Sequence, residues 1–105
     1  MTFRASYWFS VVARGGSGLF SRERLSPFVP SPGMRVSFED DGQKWEINRV
    51  SRVGRSRTWS CHLGDFEEPD RDWLELRDAY LARGWVLLRE WVAMPFWLGQ
   101  CRGAG

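Results

Sequence analysis

Between Met34 and Ile47 apolar and polar residues alternate twice around Asp40-Asp41-Gly42, and a period-two pattern broken by residues that tolerate positive φ closes as a β-hairpin. Met34, Val36 and Phe38 share one face of the outgoing strand, and Trp45 and Ile47 resume it on the return. The phase is lost near Arg49, because Val50 and Val53 do not keep the parity of Trp45 and Ile47. A β-bulge or a strong bend is expected there. Gly54 to Ser56 reads as the next turn, and Thr58 to Leu63 as a strand with Trp59, Cys61 and Leu63 on one face. Residues 34–64 are therefore expected to form a β-meander.

The flanks supply the other elements. Phe3 to Val12 is aromatic and β-branched, which predicts a first strand ending at the Gly-rich stretch Arg14 to Gly18. Leu19 to Leu25 fits either a short second strand or a helical turn. Pro27, Pro30 and Pro32 make Ser26 to Gly33 a stiff connector through which no central strand can run. Gly64 to Pro69 is expected to end the sheet, with Asp70 capping a helix over about 70–83 and Gly84 stopping it. Trp73, Leu74, Leu76, Tyr80 and Leu81 cluster on that helix at 100° per residue. Trp85 to Val92 is apolar on both faces, which predicts an interior strand, and residues 93–105 form a tail. The fold class is α+β: a small antiparallel sheet or a partly open SH3-like barrel of about five strands, with the helix before the last one, in a single domain over residues 1–105. The Pro-Gly entry to Met34–Phe38, followed by the short meander, resembles the opening of small SH3-like barrels over about a third of the chain. That resemblance implies the barrel form of the fold and no particular activity.

A chain of 105 residues buries roughly two-thirds of its unfolded surface, so its core must be efficient. Seven Trp, seven Phe and two Tyr supply that efficiency, but there is room for one compact cluster, so some rings are expected outside it. The longest apolar run, Trp85 to Leu88, is four residues, well short of the roughly 20 that span a bilayer. The start, Met1-Thr2-Phe3-Arg4, has no basic segment, long apolar stretch and cleavage site. A soluble cytoplasmic protein with no membrane partner is expected. In that setting Cys61 and Cys101 read as buried or incidental thiols more readily than as a disulfide.

Charge is distributed unevenly. Residues 1–64 carry +5 and residues 65–105 carry −3, and fourteen of the fifteen basic side chains are Arg. Such Arg usage fits a GC-rich bacterial or phage genome, and guanidinium forks also suit phosphate and carboxylate recognition. Arg49, Arg52, Arg55 and Arg57 surround one tight turn between strands carrying Trp45 and Trp59, as nucleic-acid-binding sheets mix cations with stacking rings. A hairpin tip that needs charge for solubility explains the same residues, and parity points both tryptophans toward the core. Arg77 projects beside Trp73 and Tyr80, where it either snorkels or pairs with a carboxylate, or lines a pocket for an anionic ligand. Phe96 and Trp97 in the tail are candidate interface residues, and the seven carboxylates from Asp65 to Asp78 form a solvated face or a docking surface for a basic partner.

Other chemistries find little support. Arg14 to Gly18 lacks the Gly-Lys-Ser/Thr ending of a phosphate loop and reads as a flexible hairpin loop. Glu39, Asp40 and Asp41 are explained by an exposed turn, where consecutive side chains do not converge on an ion. Zinc needs four ligands, and His62 is the only histidine. Cys61 and His62 are adjacent on a strand and face opposite ways, so no thiol–imidazole pair forms within one chain. No catalytic set, metal site or cofactor is predicted. The expected function is a non-enzymatic binding module engaging nucleic acid or a protein partner through the Arg-rich sheet edge and exposed aromatics. The alternatives are self-association as a homodimer and binding of a small anionic ligand between helix and sheet.

Overall fold

The computed structural model describes residues 2–52, 54–55 and 57–93. Strands β1 (Phe3–Arg14), β2 (Gly16–Ser26), β5 (Arg49–Arg52), β6 (Thr58–Asp72) and β7 (Val86–Val92) make one sheet in the order β5-β6-β1-β2-β7. Strands β3 (Arg35–Ser37) and β4 (Lys44–Glu46) pair only with each other, and helix α1 (Trp73–Ala82) precedes β7. The fold is thus α+β with one helix before the last strand, and of the two forms anticipated it is the open sheet. The sheet is mixed, not antiparallel throughout: β1 pairs with β2 antiparallel and with β6 parallel.

β1 sets the layering. Ala5, Tyr7, Phe9, Val11 and Ala13 are buried, whereas the intervening residues are half-buried or exposed, a strict alternation that gives the sheet one covered and one open face. Phe9 lies at the centre of the covered face, with the rings of Phe20, Trp45, Tyr80 and Trp85 centred 4.7–5.3 Å away. The β3–β4 hairpin contributes Phe38 and Trp45 to this cluster, and α1 contributes Trp73, Leu76 and Tyr80. Both elements therefore cover the same face.

Several expectations are corrected. The three-strand meander does not form, because the chain leaves β4 through Ile47 and Asn48 and crosses to the main sheet, where β5 pairs with β6. The lost phase at Arg49 marks that crossing. The Gly-rich stretch is not a loop. β1 and β2 turn at Gly15 (φ +86°), and Gly16, Ser17 and Gly18 are already extended in β2, which runs on through Leu19 to Leu25 as a strand. A Cβ on Gly16 or Gly18 would stand 2.3 Å from the Trp73 indole, so these glycines are there for close approach.

Nor does Gly64 to Pro69 end the sheet. The register shifts at Leu63, between His62 opposite Trp8 and Gly64 opposite Phe9, and Pro69 falls where it slips again between Ala13 and Arg14, so neither Gly64 nor Pro69 stops the strand. Because β6 runs on, the helix cap is Asp72, not Asp70; its carboxylate accepts from the Glu75 N–H at 3.3 Å. At the other end Arg22 of β2 donates to the Arg83 carbonyl at 3.0 Å, supplying a cation that the last helical turn lacks. β7 is an edge strand and not an interior one, and its apolar residues Val86, Leu88, Trp91 and Val92 are exposed. None of the helices among the described residues is long and apolar enough to cross a membrane.

Candidate functional site

The open face is built from the even-numbered residues of β1 and their cross-strand neighbours. Trp8 lies opposite His62 of β6, which lies opposite Arg49 of β5, so the three side chains form one row on that face. The indole and imidazole stack at 4.1 Å between centroids, tilted by 30°. Trp8 Nε1 donates to Ser60 Oγ at 2.9 Å, and His62 Nε2 stands 3.1 Å from Asp65 Oδ1. The same carboxylate oxygen accepts from Ser10 Oγ. That Ser10 bond, helped by His62 and the nearby Arg49 guanidinium, holds the Asp65 carboxyl below its usual range. Trp8, Arg49, Val50, Ser51, Ser60 and His62 enclose a shallow cleft of about 210 Å³.

Ser10 donates to the Asp65 carboxylate and not to the imidazole. Cys61 faces the core on the other side of β6, where burial pushes its thiol up to about 11, and it is neutral at physiological pH. No cluster of three potential metal ligands occurs among the described residues.

The four arginines predicted as a patch are all exposed, but they do not share a face. Arg49 lies on the open face beside the cleft. Arg52 pairs in register with Trp59 on the opposite face, its guanidinium 5.8 Å from that ring. Arg55 and Arg57 flank the turn into β6, and Arg4 of β1, opposite Thr58, extends the basic rim onto the open face. The side chains of Arg4, Arg49, Arg55 and Arg57 make no salt bridge or hydrogen bond among the described residues. Trp45 is buried in the core, and Trp59 is half-buried.

Arg77, Trp73 and Tyr80 attach the helix. Trp73 and Tyr80 are core residues, and Arg77 Nη1 donates to Glu90 Oε2 of β7 at 2.9 Å, the oxygen that also accepts from Trp73 Nε1 at 2.8 Å. Glu39 and Asp40 are exposed in the turn as expected, but Asp41 is buried at the hairpin end, accepting from Trp45 Nε1 with Arg83 3.8 Å away. Phe96, Trp97 and Cys101 lie outside the described residues.

Trp8, Ser10 and Arg4 were not singled out by sequence reasoning, and Asp65 entered it only as one carboxylate of the acidic segment. The available signal was parity: Trp8 is out of phase with Tyr7 and Phe9 on one strand, so a ring that belongs to neither flanking core position must face outward. No family model matches the chain, and no curated protein or solved structure shows significant similarity to it.

Proposed function

We propose that the chain is a non-enzymatic cytoplasmic binding module that holds single-stranded nucleic acid along the β5 edge and the adjoining open sheet face. The observation that carries this reading is a set of exposed guanidiniums, Arg4, Arg49, Arg55 and Arg57, with no salt bridge or hydrogen bond among the described residues, on a sheet whose open face holds a cleft lined by Arg49 together with Trp8 and His62. Guanidiniums take phosphates in a sequence-independent manner, and a cleft bounded by an aromatic ring and serine hydroxyls suits an unstacked base. Fluorescence anisotropy with labelled oligo-U and oligo-dT, repeated over a salt series, tests it. Binding should weaken steeply with salt, and an Arg49→Ala, Arg55→Ala variant should lower the log–log slope by roughly 1.4, about 0.7 per phosphate contact. Absence of binding at low salt, or an unchanged slope in the variant, refutes the reading.

A second reading, self-association, draws on the opposite side of the same face. There Val12 and Trp91, both more than half exposed, border a groove of about 360 Å³ with Leu19.

A further inference from the structure

A separate concavity of about 260 Å³ opens between the end of β2, the proline connector and the β3–β4 hairpin. Tyr7, Val36, Phe38 and Ile47 line its apolar part, and Arg24 and Arg35 line it as cations. Arg24 is held with its guanidinium carbon 4.9 Å from the Phe38 ring centre, over the aromatic wall. Neither arginine has a carboxylate partner among the described residues, although Glu46 lies opposite Arg35 in the hairpin register. Tyr7 is nine-tenths buried or more, and its hydroxyl has no hydrogen-bond partner among the described residues. Burial raises its pKa, an effect the Arg24 charge offsets in part, so it is a neutral donor. Leu25 and Phe28, 68% and 65% exposed, add apolar surface to its lining.

We infer that this concavity captures the C-terminus of a protein partner whose last residue is large and apolar, its carboxylate meeting Arg24, Arg35 and the Tyr7 hydroxyl. Charge complementarity sets the class. Two unpaired guanidiniums and a phenol beside an apolar floor match one carboxylate attached to one hydrophobic group. The exposed apolar lining favours a peptide end over a free small acid. The space admits a single apolar side chain, and the exposed Leu25 and Phe28 in its lining leave apolar surface for the residues that precede it. The site is distinct from the Trp8–His62 cleft and does not depend on it.

Fluorescein-labelled peptides Gly-Ser-Gly-Ser-Leu and Gly-Ser-Gly-Ser-Phe, each as the free acid and as the C-terminal amide, are titrated with the whole protein. The free acid should bind at least about tenfold more tightly than its amide. An Arg24→Gln, Arg35→Gln variant should lose about tenfold, and Tyr7→Phe a few-fold, with circular dichroism unchanged. Arg49→Ala, Arg55→Ala should leave peptide binding intact, which separates failure here from failure of the nucleic-acid reading. Equal affinity for acid and amide, no binding up to about 1 mM, an unaltered arginine variant, or N-acetyl-leucine competing as strongly as the unlabelled peptide would each overturn the inference.

Discussion

At the scale of single residues the least expected economy is between glycine and tryptophan. Gly16 and Gly18 look like loop residues in the sequence, yet they lie in β2 beneath Trp73, whose ring takes the volume that their side chains would occupy. A glycine-rich stretch does not say whether its glycines serve a turn or a close approach, and only the helix 55 residues later distinguishes the two. The aromatic core, in contrast, was legible: Phe38, Trp45, Ile47, Cys61 and Leu63 were placed inward by alternation alone, and all are buried. Trp8 and His62 were not legible as a pair, because 54 residues separate them and no local pattern brings them together. The glycine reading predicts that Gly18→Ala destabilises the protein by about 1–3 kcal/mol, the usual range for overpacking, even though alanine is a better strand residue. In urea unfolding the loss should shrink when Trp73 is also replaced by Leu. An additive double variant would place the strain elsewhere.

At the scale of elements, the helix was foreseen with its end at Gly84, while its start shifted from Asp70 to Asp72. Sequence rules rank both as good caps, and the continuation of β6 through Pro69 decides between them. The attachment of α1 to β7 rests on Glu90, whose carboxylate collects both the Trp73 indole N–H and the Arg77 guanidinium. The Trp73 hydrogen bond, followed by that of Arg77, holds the Glu90 carboxyl below its usual range. A carboxyl depressed in the folded state stabilises it above the ordinary glutamate pKa, and that contribution is lost as pH falls through the lower, folded value. Thermal melts of the wild type should therefore fall more steeply through the acid range than those of Glu90→Gln, which keeps an acceptor for both donors but does not titrate. Parallel melting curves for the two proteins across that range would remove Glu90 as a linkage point. Because the pair is exposed to solvent, added salt should reduce the difference.

At the scale of the whole molecule, α1 and the β3–β4 hairpin cover one side of the sheet, and among the described residues the other side is open and β5 and β7 stand at the edges. The class of this fold was legible, since the hairpin, the helix and the last strand each carry a local signature; the sheet order was not. A parallel β1–β6 pair depends on which strands meet after a long connection, and periodicity records only that strands exist. The edge position of β7 was misread for a related reason. Val86, Leu88, Trp91 and Val92 are apolar without being interior, so hydrophobicity that signals burial in a central strand here remains at the surface. Apolar edges are hazardous unless guarded, and β7 carries two guards, a register shift between Leu87 and Arg89 and the Arg89 charge. Those guards oppose strand-to-strand pairing but leave Trp91 and Val12 free to meet another open face. If the second reading of the function holds, sedimentation velocity should show association that grows with protein concentration and persists in high salt. Trp91→Ser should abolish it while leaving the melting temperature nearly unchanged, since that ring is 63% exposed. A monomer at every concentration would remove self-association through Trp91 as a reading of this face.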